Sequence, residues 1–467
     1  MTDEILSSSY LPPKAIFRAN DIRGIVEDEL HTDNIRLIGH SIGSEAIDAG
    51  IGSLLVARDG RLSSPDLCRA LITGLRCSGV NVVNLGMVPT PLLQFGTHTT
   101  QFDSGVMLTA SHDSAHYNGI KVVFRRMPLA DHQIDVIRTR IKNQMLRHGH
   151  GEYEDLEILP NYICEVCNRV CLLRPLKIVI DCGNAVTAGV APHLFRELGC
   201  DVIELFCEVD GRFPNHDPDP TRSENLAALQ TAVIDEGADL GLAFDGDGDR
   251  LGLVTDKGNI IPADRLLMLL VESLADRYPG ANIVYDVKCS RELGNLIESL
   301  GLHPIMHKSG HSLMRQKIEQ TAAPLGGEFS AHIFFNDRWF GFDDGMYAAA
   351  RILELITKRP ESCDEKFKTF PESFATEEIR LEVCDQDKFS LMGKIIEAAR
   401  DIDGNKLHID GLRIEFSDGW GLVRASNTSA ALLFRFEAVT EDALQRIQSQ
   451  FKALIQQADA GIELIFE

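Results

Sequence analysis

The sequence lacks long hydrophobic runs and a surplus of positive charge, and each absence excludes a class of protein. No apolar stretch approaches the roughly 18 residues of a membrane-spanning helix, and the run LLMLLV at 266–271 has the length of a core helix segment. The first residues are acidic and polar, which is not typical of a secretory signal. Acidic residues number 69 against 46 basic ones, so a formal charge of -23 repels nucleic acid and anionic membranes. We therefore expect neither a nucleic-acid partner nor a membrane partner.

The 11 cysteines lack the density and spacing of a disulfide scaffold. Cys164, Cys167 and Cys171 share a helical spacing, but no fourth metal ligand lies at a suitable position. One face of a helix explains the pattern. Together with the missing signal sequence, the scattered cysteines predict a cytoplasmic protein.

A chain of 467 residues is too long for one hydrophobic core and predicts several domains. Short apolar runs alternate with helical patterns, as at 53–57 and 80–85, and this alternation recurs from 176 and from 257. The tail from about residue 369 instead reads as alternating strands followed by one helix. We therefore predict an α/β protein with three similar α/β domains and a smaller C-terminal α+β domain. The predicted limits are 1–152, 153–256, 257–368 and 369–467.

The strongest chemical signal is the segment DGDGDR at 245–250, directly after the apolar run 240–244. Its alternating carboxylates, separated by glycines, allow Asp245, Asp247 and Asp249 to face one hard cation. An EF-hand calcium loop also begins with alternating aspartates, but Arg250 occupies the position where that loop needs its turn glycine. The segment therefore predicts a divalent-cation site after a buried strand.

A serine follows another predicted strand, in LTASHD at 108–113, and NGIK follows at 118–121. Ligands of α/β sheets collect beyond the carboxyl ends of the parallel strands. Ser111 is therefore a candidate nucleophile, and Lys121 a candidate phosphate-binding cation. Taken alone, an ordinary capping turn also explains these residues.

Two later segments carry side chains suited to a sugar phosphate. In GGEFSAH at 326–332, Glu328, Ser330 and His332 alternate, so we expect an extended segment that presents them on one face. Such a row can hold sugar hydroxyls, with His332 available for proton transfer. RASNTS at 424–429 combines arginine with small polar residues, as phosphate-binding loops do. Each segment by itself also fits a polar strand face or a capped turn.

In this order and at these separations, six segments resemble the α-D-phosphohexomutase family, in particular its bacterial phosphomannomutase/phosphoglucomutase branch. They are FRANDIRG at 17–24, TASHD, DGDGDR, KSGHS at 308–312, GGEFSAH and RASNTS. The resemblance covers almost the whole chain. It implies mixed sheets and four domains around a central cleft. In chain order, the domains would contribute a phosphoserine loop, a metal loop, a sugar-binding loop and a phosphate-binding loop.

The resemblance also implies roles for individual residues. Ser111 would be phosphorylated, and its phosphate would share one Mg2+ per chain with Asp245, Asp247 and Asp249. Arg23, Lys121 and His332 would join Ser111 in catalysis, with Lys121 and His332 assisting removal of a proton from the attacking hydroxyl. The implied substrate-binding residues are Arg250, Lys288, His311, Glu328, Ser330, Arg424, Ser426, Asn427 and Thr428.

These implications predict an isomerase of carbohydrate metabolism that interconverts hexose 6-phosphate and hexose 1-phosphate, with mannose and/or glucose as the sugar. The reaction would pass through hexose 1,6-bisphosphate, which would also be the activator, in a monomer or weak dimer. Alternatives are phosphoglucosamine mutase, whose branch typically carries DGDADR and GEQSGH, and a sugar-phosphate-binding protein without turnover. GHSIG at 39–43 suggests a serine hydrolase, but Ile35, Ile38 and Ile42 recur at helical spacing through it, which places Ser41 inside a helix.

The sequence departs from the family pattern near the predicted sites. Asp113 and Ser114 stand where asparagine and proline are usual, which adds a carboxylate two residues from Ser111. Asn20 replaces a usual tyrosine, while Phe329 and Ala331 replace methionine and glycine in the sugar-binding segment. We expect these changes to alter rate, metal affinity or sugar choice. They should not abolish activity, because the serine and the metal ligands are all retained.

Overall fold

The computed structural model describes residues 11–130, 132–384, 386–426, 430–459 and 461–462. The chain forms two compact units. The first comprises Met1–Ala263 with Ser330–Asp364, and the second comprises Asp264–Phe329 with Glu365–Glu467. No helix among the described residues combines the length and the apolar character needed to cross a membrane.

The first sheet is mixed and begins the first unit. Its strand order is β1-β5-β4-β2-β3-β7, with β6 beside β5. Strands β2, β3, β4 and β7 run parallel, and β5 is antiparallel to its neighbours β1, β4 and β6. The elements are β1 (Ile22–Ile25), α1 (Thr32–Asp48), β2 (Ser53–Arg58), α2 (Ser64–Cys77), β3 (Asn81–Met87), α3 (Thr90–Thr99), β4 (Gly105–Leu108), β5 (Tyr117–Phe124), β6 (Met127–Pro128), α4 (His132–Lys142) and β7 (Tyr153–Asp155).

The apolar pattern of the sequence explains these elements. The central residues of β2 are buried because helices cover both faces of a parallel sheet. Ile35, Ile38 and Ile42 are buried on α1, and Ser41 lies in that helix, donating its hydroxyl hydrogen to the carbonyl of Ile137. The prediction that Ser41 is helical is therefore confirmed. The last strand of the first sheet, β7, pairs with β3 as far as Asp155.

The second sheet is also mixed and has the strand order β12-β11-β10-β8-β9. Parallel strands β9, β8 and β10 are followed by antiparallel β11 and β12. Cys164 and Cys167 lie in α5, but that helix ends before Cys171, so the predicted helix face holds for two of the three cysteines. The elements are α5 (Leu159–Arg169), β8 (Lys177–Asp181), α6 (Ala191–Glu197), β9 (Asp201–Leu205), α7 (Ala227–Glu236), β10 (Leu240–Phe244), β11 (Leu251–Thr255) and β12 (Ile260–Ile261).

A third set of parallel strands belongs to the second unit. β13 lies between β14 and β15 and pairs in parallel with both. The elements are α8 (Ala263–Ala275), β13 (Asn282–Asp286), α9 (Arg291–Ser299), β14 (His303–His307), α10 (His311–Thr321) and β15 (Leu325–Gly327).

The chain turns after β15, and here one prediction is wrong. Residues 328–331 are not an extended strand but a turn, and Ala331 adopts a left-handed conformation with φ of 72°. A residue in that conformation reverses the chain, so side chains at alternate positions no longer share one face. The next elements are β16 (Ile333–Phe335), α11 (Gly345–Thr357) and α12 (Cys363–Phe367).

The C-terminal domain is an antiparallel sheet packed against two helices. Its strand order is β17-β22-β21-β20-β19, and β18 also pairs with β22. Ile395 of α13 and Ile447 and Phe451 of α14 share a core with Leu412 and Phe434 of the sheet. The elements are β17 (Phe374–Ala375), β18 (Ile379–Glu382), α13 (Lys388–Ala398), β19 (Asn405–Leu407), β20 (Leu412–Phe416), β21 (Gly419–Ala425), β22 (Ala431–Ala438) and α14 (Glu441–Ala458).

These observations confirm the predicted fold class. Three α/β domains with strand–helix alternation precede an α+β domain in which every described strand pair is antiparallel. The described ranges also contain four short 3-10 helices, at Lys14–Ile16, Val186–Gly189, Ser223–Leu226 and Ala399–Asp401.

Candidate active site

The predicted nucleophile and the predicted metal loop meet in the first unit. Ser111 lies three residues beyond the end of β4, and Asp245 directly follows β10. Although they are 134 positions apart in the sequence, the Ser111 hydroxyl donates a hydrogen bond of 2.7 Å to Asp245 Oδ2. Both side chains are buried. Two loops from different sheets therefore build one site.

The three aspartates of the metal loop converge. Single oxygen atoms of Asp245, Asp247 and Asp249 lie within 4.8 Å of one another, and all three residues are buried. Lys121 of β5 donates hydrogen bonds to Asp247 Oδ2 at 2.7 Å and to Asp249 Oδ2 at 2.6 Å. Thr90, which begins α3, donates its hydroxyl hydrogen to Asp247 Oδ2 at 2.5 Å. We call Ser111, Lys121, Asp245, Asp247 and Asp249 the serine–aspartate cluster.

The donor set of this cluster fits a hard divalent cation. Asp247 Oδ1 and Asp249 Oδ1 are buried and accept no hydrogen bond within the described part of the chain. Burial, followed by the negative charges of Asp249 and Asp247, raises the pKa of Asp245 well above its usual value. Carboxylate oxygens crowded in this way repel one another, and a small cation removes that repulsion.

His332 is held beside the cluster by two fixed contacts. Its Nε2 accepts a hydrogen bond of 3.0 Å from Arg250 Nε, which can only donate. The ring proton therefore lies on Nδ1, which is 2.8 Å from Asp343 Oδ2 and 3.5 Å from Asp249 Oδ1. Burial lowers the pKa of His332, but the neighbouring carboxylates Asp249 and Asp343 outweigh burial and raise it.

Arg23, at the end of the FRANDIRG segment, is shared between two carboxylates. It pairs with Asp21 and lies 3.2 Å from Asp113, measured from Nη1 to Oδ2. Burial opposes its charge, but Asp21 and Asp113 raise its pKa above the usual value. Asp113, one of the departures from the family pattern, thus contacts a predicted catalytic residue.

The second unit contains its own cluster of predicted site residues. Glu328 is buried, and its Oε1 accepts a hydrogen bond of 2.6 Å from the backbone N–H of Gly310, the residue before His311 and α10. Arg424 Nε donates to Asp410 Oδ2 at 2.8 Å, and the same oxygen accepts from the backbone N–H of Ser309 at 3.2 Å. The KSGHS segment and the arginine of the last predicted loop therefore share an acceptor.

Lys288 is a second predicted substrate-binding cation that is buried in this unit. Its Nζ lies 3.1 Å from Glu378 Oε2. Burial opposes the charged form, but Glu378 outweighs it and raises the pKa of Lys288, while Lys288 lowers the pKa of Glu378 against the effect of burial. We call Lys288, Ser309, Glu328, Asp410 and Arg424 the second-unit cluster.

Fewer contacts are described for the remaining predicted site residues. Ser330 and His311 are half-buried, and the carbonyl of the buried residue Ser426 accepts a hydrogen bond from Lys388. Asn427 and Thr428 lie outside the described residues.

Sequence reasoning missed Thr90 and Asp343, which contact Asp247 and His332. Neither belongs to a recognisable pattern. A threonine that follows proline at the start of a predicted helix was the only available signal for Thr90.

The chain is similar to known proteins along nearly its whole length. Four family models match in succession, and each describes part of phosphoglucomutase/phosphomannomutase: alpha/beta/alpha domain I at 14–148, domain II at 161–258, domain III at 262–374 and the C-terminal domain at 378–454. Fold and site thus define a multidomain α/β protein with a carboxylate-rich candidate metal centre. The chain belongs to the phosphoglucomutase/phosphomannomutase family.

Individual relatives agree over nearly their full lengths. A phosphomannomutase/phosphoglucomutase of Pseudomonas aeruginosa is 47% identical over 454 residues, which cover 97% of this chain and 98% of the relative. A phosphoglucomutase of Neisseria gonorrhoeae is 42% identical over 94% of this chain and 96% of its own. The crystal structure of a family member from Burkholderia thailandensis, 42% identical, superposes with a TM-score of 0.93 over 98% of this chain and 100% of that chain.

Proposed function

We propose that the protein is a phosphohexomutase that interconverts hexose 6-phosphate and hexose 1-phosphate, with mannose and/or glucose as the sugar. The observation that carries the proposal is the hydrogen bond of 2.7 Å from the Ser111 hydroxyl to Asp245. It brings the predicted phosphoserine to the predicted metal ligands, as the proposed chemistry requires. The curated relatives named phosphomannomutase/phosphoglucomutase and phosphoglucomutase support the same assignment.

The proposed reaction has two balanced phosphoryl transfers. A hydroxyl of the hexose monophosphate attacks the phosphorus carried by Ser111, the bond from phosphorus to Ser111 Oγ breaks, and hexose 1,6-bisphosphate forms. After the intermediate turns end for end, Ser111 Oγ attacks its other phosphate and releases the isomeric monophosphate. Each attacking hydroxyl loses one proton, and each departing oxygen gains one. Added hexose 1,6-bisphosphate would activate the enzyme by phosphorylating Ser111.

The residues of the first unit suit this chemistry. Asp245, Asp247 and Asp249, with the phosphate on Ser111, would hold one Mg2+, the hard cation that their oxygens fit. When bound, Mg2+ would supply positive charge at the transferring phosphoryl group. Lys121 and Arg23 would add positive charge, and Arg250 would bind substrate.

His332 is the proposed proton acceptor for the attacking hydroxyl. Asp343 orients its ring through Nδ1. Its Nε2, which accepts a hydrogen bond from Arg250 in the structure, would take the proton once Arg250 turns to the substrate. Lys121 is the second candidate for this role, although in the structure its ammonium group donates to Asp247 and Asp249.

The second unit, together with Ser330 of the first unit, supplies the remaining proposed binding residues. Glu328 and Ser330 would hold sugar hydroxyls, and Lys288 and His311 would contact the substrate. Arg424, Ser426, Asn427 and Thr428 would anchor the phosphate that does not react, because guanidinium and hydroxyl donors bind a phosphate dianion well. The domain limits 1–152, 153–256, 257–368 and 369–467, a cytoplasmic location and a monomer or weak dimer also stay predictions.

A coupled assay tests the proposal directly. The protein is given mannose 1-phosphate or glucose 1-phosphate with Mg2+ and a trace of hexose 1,6-bisphosphate, and hexose 6-phosphate is measured. We expect turnover, and Ser111→Ala should abolish nearly all of it. Ser41→Ala is the matched control, because Ser41 is a buried serine within a helix, and it should retain turnover.

Intact-mass measurement completes the test. The wild type should gain one phosphoryl group from hexose 1,6-bisphosphate, and Ser111→Ala should gain none. A rate within a few fold of wild type in Ser111→Ala would refute the phosphoserine mechanism. Binding without turnover or phosphorylation would instead identify a sugar-phosphate-binding protein.

A further inference from the structure

Arg61 is a buried arginine to which the proposed function assigns no role. It lies three residues after β2, and only 1% of its surface is exposed. Its guanidinium remains charged under protein conditions, and burying a charge is costly unless that charge is paired and hydrogen-bonded. The contacts of Arg61 therefore indicate what its burial achieves.

Nearly all the hydrogen bonds of this guanidinium go to the loop that carries Ser111. Its Nη2 donates to the backbone carbonyls of Ser111 at 2.7 Å and Asp113 at 2.6 Å. Its Nη1 donates to the carbonyls of Ser114 at 2.6 Å and Tyr117 at 3.0 Å. The remaining donor, Nε, binds Asp59 Oδ2 at 3.0 Å. One planar group thus gathers four carbonyl oxygens.

This loop has an unfavourable backbone conformation to maintain. Ser111 has φ of 50°, a left-handed conformation that is costly for a residue other than glycine. Four carbonyls that converge on one point also repel one another unless a donor lies between them. The rigid fork of five N–H groups satisfies them together, which a lysine ammonium cannot do.

Arg61 also contacts the segment 211–218, which in turn contacts the metal loop. Its guanidinium carbon lies 5.0 Å from the centroid of the Phe213 ring. Gly211 packs so closely that a Cβ atom there would lie 2.6 Å from Arg61 Cα. The same segment reaches Pro218, whose carbonyl accepts a hydrogen bond of 3.1 Å from the N–H of Gly246 between two of the aspartates.

We propose that Arg61 is a positioning residue that holds the Ser111 loop in its reactive conformation against the metal loop. The inference rests on the proposed function for its kinetic consequence. Arg61 acts through the backbone carbonyls on one side and Phe213 on the other. Its loss should therefore impair phosphoryl transfer more than substrate binding.

Arg61→Lys tests the proposal, because it keeps the charge but removes the fork. We expect kcat to fall about 100-fold, as a displacement of about 1 Å at a reacting group does, with KM within about threefold. The 31P resonance of the phosphorylated serine should move toward that of free phosphoserine. Hydrogen exchange at the backbone amides of 110–117 should accelerate, whereas exchange in α2 should not change.

Two further variants provide a control and an independent test. Arg69→Lys is the matched control, since Arg69 lies exposed on α2 and pairs only with Asp66 among the described residues; its kinetics and exchange should equal those of the wild type. Phe213→Leu keeps the guanidinium but removes the ring, and it should lower kcat about fivefold. Phe213→Leu tests the proposal by itself if Arg61→Lys does not fold.

The outcomes separate this proposal from the proposed function. If Arg61→Lys keeps kcat within threefold with unchanged exchange at 110–117, or raises KM alone, the positioning role is refuted. If the wild type takes up no phosphate on Ser111, the proposed function fails. The exchange measurement still decides whether Arg61 holds the loop, because it needs no turnover.

Discussion

The serine–aspartate cluster of the first unit and the second-unit cluster differ in their balance of charge. In the first, three buried carboxylates surround one lysine, which donates to only two of them, so negative charge is in excess. In the second, each of the two buried cations already has a carboxylate partner: Arg424 has Asp410, and Lys288 has Glu378. The first arrangement favours the binding of a cation. The second presents cations whose carboxylate partners a phosphate must replace.

This difference predicts different kinetic effects for substitutions in the two regions. Changes in the first cluster should mainly lower kcat, because its charges act on the transferring group. Changes in the second should mainly raise KM, because its cations hold the part of the substrate that does not react. Substitutions in each cluster test that division.

Asp247→Asn should have the largest effect. The amide keeps the shape of the side chain but removes one of the carboxylates that a divalent cation requires. We expect kcat to fall about 1,000-fold, equivalent to the several kcal/mol of charge stabilisation that such a cation provides. The measurement is steady-state turnover over a Mg2+ titration.

Asp66→Asn is the control for this change, because Asp66 is exposed on α2. It should leave both kcat and the Mg2+ dependence unchanged. A kcat for Asp247→Asn within tenfold of wild type would contradict the assignment of Asp247 as a metal ligand.

Arg424→Met should act mainly on binding. Removing a guanidinium that binds a phosphate should raise KM about 30-fold and change kcat by less than threefold. The measurement is turnover as a function of glucose 1-phosphate concentration, with the exposed residue Arg400 replaced by methionine as the control. If Arg424→Met lowers kcat and leaves KM unchanged, the proposed division between the two regions is wrong.

Asp113→Asn tests, within the first unit, how a carboxylate partner affects the binding of phosphate by an arginine. Asp113 gives Arg23 a second carboxylate partner, an arrangement that resembles the paired cations of the second unit. Without it, Arg23 should interact more strongly with phosphate, and we expect the activation constant for glucose 1,6-bisphosphate to fall about fivefold, or roughly 1 kcal/mol. Asp33→Asn, at an exposed position of α1, is the control. An unchanged or weaker activation would show that Asp113 does not compete with phosphate for Arg23.

Ala331→Gly should have the smallest effect, on stability. Ala331 precedes His332 and has φ of 72°, which costs alanine about 1–2 kcal/mol relative to ordinary backbone. Glycine avoids most of that cost but loses about 0.5–1 kcal/mol through the greater freedom of the unfolded chain. We expect a net gain of about 0.5 kcal/mol in the free energy of unfolding, measured with urea.

Ala453→Gly provides the contrast, since Ala453 is exposed within α14 and helical glycine should cost about 1 kcal/mol. A destabilised Ala331→Gly would show that the contacts of the methyl group outweigh the strain of the turn.

The local pattern of apolar and polar residues was sufficient to predict most of the secondary structure and part of the candidate site. Apolar runs predicted strands β2, β10 and β13, and helical spacing placed Ser41 inside α1. Alternating carboxylates identified the metal loop because three such residues after a buried strand are unusual. The same reasoning misjudged 328–331, because alternation is equally compatible with a strand and with a turn whose conformation depends on its surroundings.

The amino-acid sequence by itself determined the order of strands and helices, the candidate nucleophile and the three candidate metal ligands, because these depend on residue type and short-range spacing. Only the tertiary structure decided that Ser111 lies 2.7 Å from Asp245. It also decided that Asp343 orients His332 and that the guanidinium of Arg61 joins four carbonyls of the serine loop. Such contacts join residues far apart in the chain, so they depend on how whole sheets and loops pack and leave no mark in local spacing.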